Sequence, residues 1–189
     1  MKRLACLPLI AILAACQPAA TEDVPPVEAP ATASETGPWQ VTAEAVGPLT
    51  GETPYDVATI QGLFPGATVE AQYLHLGDET TPIITVYGAD ELALDIQGDV
   101  NGNVSQVRVQ GGNFIAPNGA TLLTPWSELG LSTTNCGMGE GRNYSCADPN
   151  VLNVYYVIAV PGWDSDEAPN EAALNAAGAM VGTISWIRP

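Results

Sequence analysis

Lysine occurs once in this chain, at Lys2, and histidine once, at His75. Arg3, Arg108, Arg142 and Arg188 complete the basic set, against 21 acidic residues, for a formal charge of −16 over 189 residues. A nucleic-acid binder needs a cationic footprint to displace counterions, so that class is excluded. Electrostatic adhesion to anionic lipid is excluded for the same reason. A Ser-His-acid triad would have to use His75, and no Gly-x-Ser-x-Gly elbow is present. Gly111-Gly112-Asn113 and Gly137-Met138-Gly139 lack the strand-loop-helix setting of a phosphate loop. Carboxylates are plentiful, but a glycosidase needs two at a defined separation, and sequence alone nominates no pair. No catalytic, cofactor-binding or metal-binding residue is therefore assigned, and no cofactor is expected.

No apolar run is long enough to cross a bilayer, which takes about 20 residues. The longest runs from Leu4 to Ala15, behind Lys2 and Arg3, and ends Leu13-Ala14-Ala15-Cys16. A short cationic region followed by such a core matches a signal peptide. The ending resembles a bacterial lipobox, which implies acylation of Cys16 and cleavage before it. The competing reading is an ordinary secretory peptide cut near Ala15. Acyl chains contribute roughly 0.8 kcal/mol per buried methylene, so lipid at Cys16 would hold the protein to a membrane. Gln17 resembles the sorting residue of lipoproteins sent to the outer membrane of Gram-negative bacteria. Residues 1–15 are then the signal peptide. Their loss leaves 3 basic against 21 acidic residues, a charge of −18.

From the lipid anchor at Cys16, residues 16–36 form a tether. Gln17–Thr36 carries Pro18, Pro25, Pro26 and Pro30, four acids and no aromatic residue. Such a run cannot bury enough surface to offset its ordering entropy. It would extend through proline and charge repulsion. A packed structural arm is the alternative.

Residues 37–189 suit one globular periplasmic domain. Nineteen glycines and sixteen prolines favour many turns over a helical bundle. Strands are predicted at about 67–76, 81–87, 91–97, 104–110, 151–160 and 180–188, with an edge strand near 40–45. Asn101-Gly102 is a strong hairpin signal. Placed at a tip, it sets Ile96 opposite Val107, Leu94 opposite Val109 and Asp95 opposite Arg108. Apolar then meets apolar and acid meets base. An exposed pair of that kind is worth under about 1 kcal/mol.

Three short helices are predicted. Thr53-Pro54-Tyr55-Asp56 reads as a capping box opening a helix that Pro65-Gly66 ends. Thr124-Pro125-Trp126 opens another, to about Leu129. Pro169–Gly178 is a third. Gly47-Pro48-Leu49-Thr50 and Asn118-Gly119-Ala120-Thr121 precede the first two openings at similar distances, which hints at two related half-motifs. The expected class is α+β, a mostly antiparallel sheet whose second face these helices cover.

Cys136 and Cys146 are the cysteines left once Cys6 is removed and Cys16 is acylated. In an oxidising compartment they are expected to pair. A reactive thiol pair and a metal site are the alternatives, the latter weakened by the single histidine. The enclosed loop could present Arg142 and Tyr144 to a partner, since arginine and aromatic residues anchor interfaces. Asp99-Val100-Asn101-Gly102-Asn103 imitates a calcium loop, but Val104 and Gln110 stand where glycine and glutamate belong. Asp164-Ser165-Asp166-Glu167 is a second acidic loop. Trp39, Trp126 and Trp163 sit beside loops or caps, where a ring packs or lines a groove.

Beyond these features, Gly47-Pro48-Leu49-Thr50, Thr53–Val57, Ile60–Gly66, Gly119-Ala120-Thr121, Thr124–Gly130, the two later cysteines and the aromatic run Val151–Val160 resemble a family of sigma-E-regulated envelope lipoproteins. The resemblance implies an outer-membrane lipoprotein of unknown biochemical function, with no catalytic residues to carry over. Three functions are thus expected, in order. The first is a non-catalytic, lipid-anchored binding or structural module. The second is an inhibitor of a cationic cell-wall hydrolase such as lysozyme, which an acidic protein would meet quickly. The third is an envelope hydrolase with an unrecognised carboxylate site.

Overall fold

Alternating apolar and polar residues dominate the folded part of the chain, and they build strands. The computed structural model describes residues 37–76, 79–139 and 143–189. The predicted signal peptide, Cys16, the predicted tether and Arg142 lie outside the described residues. In chain order the described elements begin β1 (Trp39–Gln40), β2 (Ala45–Val46), β3 (Leu49–Thr50), α1 (Val57–Leu63), β4 (Thr68–Leu76) and β5 (Glu79–Tyr87). They continue β6 (Ala93–Gly98), β7 (Val104–Gly111), β8 (Phe114–Ile115), β9 (Cys136–Met138) and β10 (Tyr144–Ala147). β11 (Val154–Ala159), α2 (Glu171–Ala177) and β12 (Met180–Ile187) complete them, with single 3-10 turns at Trp126–Glu128 and Thr133–Asn135.

Eight strands form one antiparallel sheet in the order β4-β5-β6-β7-β12-β11-β10-β9. The predicted hairpin holds along its stem, with Leu94 opposite Val109, Asp95 opposite Arg108 and Ile96 opposite Val107. Its tip differs. Gly102 N donates to Asp99 O (3.1 Å), Asp99 N donates to Asn103 O (2.8 Å), and Gly102 takes φ +79°. A glycine bulge closes this turn, so Val100 points fully into solvent and does not pair with Asn103. Asp95 accepts from Gln110 Nε2. Although Arg108 lies opposite, no Asp95–Arg108 ion pair is present among the described residues.

One face of the sheet is the core. Register carries it from Val69 through Val86, Leu94, Val109 and Ile184 to Tyr156 and Cys146. Ile60 of α1 and Leu174 of α2 join this same cluster, with Val41, Leu49, Phe114 and Trp126. The opposite face carries a row of Glu70, Thr85, Asp95, Arg108, Ser185 and Tyr155.

The expected α+β class is therefore corrected: the fold is predominantly β, with two α-helices of seven residues each among the described residues. Both helices cover the core face, and the second face of β11, with Tyr155 and Val157 half-buried and Ala159 exposed, needs no helical layer. The physical reason lies in the Thr-Pro openings, which bridge strands, the second leading only into the 3-10 turn at Trp126–Glu128. Thr50 N donates to Thr53 Oγ1 (3.0 Å) and Thr121 N to Thr124 Oγ1 (2.9 Å). Thr53 O then accepts from Val104 N (2.9 Å) and Thr124 O from Val181 N (3.0 Å). Tyr55 N donates to Gly102 O and Trp126 N to Ala179 O. Pro54 and Pro125 form isolated bridges to Asn103 and Met180. Each threonine hydroxyl thus closes a local turn, and each following dipeptide runs onto the start of a central strand. α1 begins three residues later than predicted, capped by Asp56 Oδ1 from Thr59 N (2.9 Å).

These parallel contacts sit in equivalent places. β4-β5-β6-β7 and β9-β10-β11-β12 are both four-stranded meanders, and they meet at the β7–β12 pair. The two halves therefore share one arrangement of strands and bridges, as the half-motifs hinted. α2 is the inserted element of the second half. Asn170 Oδ1 caps it from Ala173 N (2.9 Å), and Gly178 ends it at φ +62°.

The hairpin tip is tied to the C-terminal end of the chain, where Arg188 Nη2 donates to Asp99 Oδ2 (2.5 Å). The backbone N–H of Asn103, assisted by Arg188 and the N–H of Asn101, lowers the Asp99 carboxyl to about 2. A carboxyl depressed in the folded state stabilises it above its unfolded pKa, near 3.9. That contribution fades as pH falls from about 4 toward 2. Asp99→Asn should therefore lower the melting temperature at pH 6 and lose most of that difference near pH 2. Thermal scans at both pH values check this, and an equal deficit at both would contradict it.

Candidate functional site

Within the predicted partner-contact loop, Tyr144 turns inward, whereas Gly137, Gly139 and Asn143 are exposed. Tyr144 lies opposite Ile158 on the core face of β10 and is 3% exposed. Burial raises its phenol above the ordinary value. Tyr144 is therefore a core residue and not a surface contact. This corrects the expectation, and the reason is strand alternation: the residue two before the buried Cys146 must share its face. Arg142 falls outside the described residues. Cys136 and Cys146 are directly opposite each other on β9 and β10 and form a disulfide, with Cα atoms 3.9 Å apart.

His75 stands exposed near the end of β4, its Nδ1 3.0 Å from Thr80 Oγ1 on β5. Among the described residues no cluster of three His, Cys, Asp or Glu is placed to hold a metal. Asp99 spends its carboxylate on Asn101 N, Asn103 N and Arg188. Trp126 is core, and Trp163 is half-buried with its Nε1 donating to Glu167 O (3.1 Å).

A buried polar network lies on the core face. Tyr156 and Asp148 are both fully buried. Tyr156 Oη donates to Asp148 Oδ2 (2.6 Å) and lies 2.9 Å from Asn118 Oδ1. Asp148 Oδ1 accepts from the N–H groups of Asn150 (2.8 Å) and Val151 (3.0 Å). Burial, and next the hydrogen bond and charge of Asp148, push the Tyr156 phenol far above its ordinary value. The phenol stays a neutral donor at any working pH, so the network ties the turn after β10 to the 116–120 loop. Tyr156→Phe should cost about 1–3 kcal/mol in urea denaturation, because it strips a buried carboxylate oxygen of its donor. An effect below about 0.5 kcal/mol, the usual range for an exposed site, would contradict this role.

A cavity of about 370 Å³ lies at the end of the β5–β6 hairpin, lined by Gly37, Trp39, Ala89, Asp90, Leu92, Gly112, Asn113 and Phe114. Trp39 is held by Phe64 (ring centroids 4.9 Å apart) and by the edge-on ring of Phe114 (5.2 Å). β1 pairs parallel with β8, which sets Trp39 beside Phe114. The hairpin turn runs Ala89-Asp90-Glu91-Leu92, closed by Leu92 N donating to Ala89 O (3.2 Å). Asp90 and Glu91 take φ +57° and +58°. Such a turn favours Asn-Gly, and a non-glycine residue held there costs on the order of 1–3 kcal/mol. Gly111 makes room for it, since a Cβ there would sit 2.1 Å from Glu91 O. Trp39 was legible as a loop-side aromatic. Asp90 and Glu91 carried no signal, because acids at a hairpin turn look like solvated surface.

No family model matches this chain, and no curated protein does. Its fold is similar to that of the uncharacterized protein yfeY from Escherichia coli. The TM-score to that crystal structure is 0.65 at 24% identity, over 79% of this chain and 99% of that one. The likeness shows a shared fold with an uncharacterized bacterial protein.

Proposed function

We propose that this protein is a non-catalytic lipoprotein of the bacterial envelope. In this reading it is anchored to the outer membrane through acyl chains on Cys16, with the domain in the periplasm as a binding or structural module. The observation that carries the reading is the order of cationic residues, short apolar core and Leu13-Ala14-Ala15-Cys16 ahead of a proline-rich acidic run. The Cys136–Cys146 disulfide supports export, because such bonds persist in oxidising compartments. Membership of the sigma-E-regulated family belongs to the same proposal, and the likeness to a bacterial protein of the same fold is compatible with it.

Crosslinking in intact cells, followed by identification of captured proteins, tests the reading. The anchored protein should sediment with outer membranes and capture envelope components. A Cys16→Ser variant should lose the membrane association. An unchanged distribution of that variant would count against the anchor.

Inhibition of a cationic cell-wall hydrolase is the second reading, favoured by the charge of −16. With Tyr144 buried, it needs a contact surface other than that ring. Lysozyme activity unaffected by the intact protein would end it.

A further inference from the structure

We propose that the cavity at the β5–β6 turn binds the side chain of a lysine or arginine presented by a basic partner polypeptide. Its size, about 370 Å³, is at the low end for ligand sites, which run about 300–1,000 Å³. It suits one long side chain better than a large ligand. Trp39, Leu92 and Phe114 give the lining apolar surface, which matches the aliphatic stem of such a residue. Asp90 and Asn113 also line it, residues whose carboxylate and amide are the groups that match a cationic head.

Charge decides between occupants. The chain's excess of acidic residues attracts cations and repels anions. Its own tether carries Glu22, Asp23, Glu28 and Glu35 and has no lysine or arginine, so it offers no cationic side chain of this kind. The backbone points the same way. Two acidic residues hold the left-handed conformation at the β5–β6 turn, whose Ala89, Asp90 and Leu92 line the cavity. Asparagine and glycine would sit there with less strain. Strain of this kind persists where a site uses the residues that bear it.

The binding-module reading gives this pocket its purpose, but the test is separate from the anchor. The probe is Nα-acetyl-lysine N-methylamide, titrated into the 15N-labelled full chain in neutral detergent at near-physiological salt. The amides of Asp90, Leu92, Gly112 and Asn113 and the Trp39 indole should shift. The norleucine analogue, which keeps the stem and lacks the charge, should bind about tenfold more weakly, the factor that 1.4 kcal/mol represents. Asp90→Asn removes one charge and keeps a residue that tolerates the turn; it should weaken the lysine probe several-fold, while Glu52→Gln outside the cavity should not. Asp90→Asn with Glu91→Gly should raise the unfolding midpoint by about 2–4 °C, yet bind the probe less.

Several results would overturn the proposal. Equal binding of the norleucine analogue is one, and unchanged affinity in Asp90→Asn is another. Lysine-induced shifts scattered over the acidic surface would mark counterion attraction alone. Binding of a neutral oligosaccharide in preference to the lysine probe would assign the cavity to sugar. None of these results bears on Cys16, so failure here and failure of the lipoprotein reading are told apart.

Discussion

Trp186→Ala should destabilise the protein by about 3–5 kcal/mol, the range for emptying a buried tryptophan site. Trp186 is fully buried on β12, one of the two strands where the half-motifs meet. It lies between Val107 on β7 and Val154 on β11. Its Nε1 also donates to Ala43 O (2.9 Å), which holds the β1–β2 connection over the sheet. Asn153 Nδ2 donates to the same carbonyl (2.8 Å), so the acceptor keeps one partner when the ring is lost. Most of the expected cost is therefore cavity and lost burial. Trp186→Phe keeps much of the volume and should cost clearly less. Urea denaturation of both variants checks the order, and a Trp186→Ala effect below about 1 kcal/mol would contradict a core role.

Replacing both Cys136 and Cys146 with serine should cost about 3 kcal/mol on chain-entropy grounds, for residues separated by 10 in sequence. The bond joins the outermost strand, β9, to β10. β9 is only three residues long and is otherwise held by few pairings. Its loss should fray that edge before the rest of the sheet. Hydrogen exchange should show faster exchange at Cys136–Met138 than at β7 and β12 after reduction. Equal stability of oxidised and reduced protein would remove the disulfide from the account.

Some of this architecture was legible from the residues alone. The β6–β7 register followed because Leu94, Ile96, Val107 and Val109 alternate with polar residues, and a one-residue slip would turn all four outward. The tip was misplaced because Asn101-Gly102 serves both a two-residue turn and a glycine bulge, and only the backbone angle separates them. Helices were overcounted for a comparable reason. Thr53-Pro54 and Thr124-Pro125 carry the residues of a helix start, but their hydroxyls take Thr50 N and Thr121 N instead. The second face of the sheet was expected to need helices, yet on β11 it carries only half-buried Tyr155 and Val157 and exposed Ala159. The repeat showed faintly as two Thr-x-x-Thr-Pro openings, each shortly after a glycine, and became plain once both were seen to bridge onto central strands. The cavity was not legible, because Trp39, Asp90 and Phe114 are far apart in sequence and meet only through the β1–β8 pairing and the β5–β6 turn.

The proposed place and anchoring depend on the chemistry at one sulfur atom. Intact mass measurement of the protein isolated from the cell envelope tests this most directly. The account predicts a chain that begins at Cys16 and carries fatty acyl groups there. A mature protein starting at another residue, with an unmodified amino terminus, would contradict it, and so would an uncleaved chain as the stable cellular form.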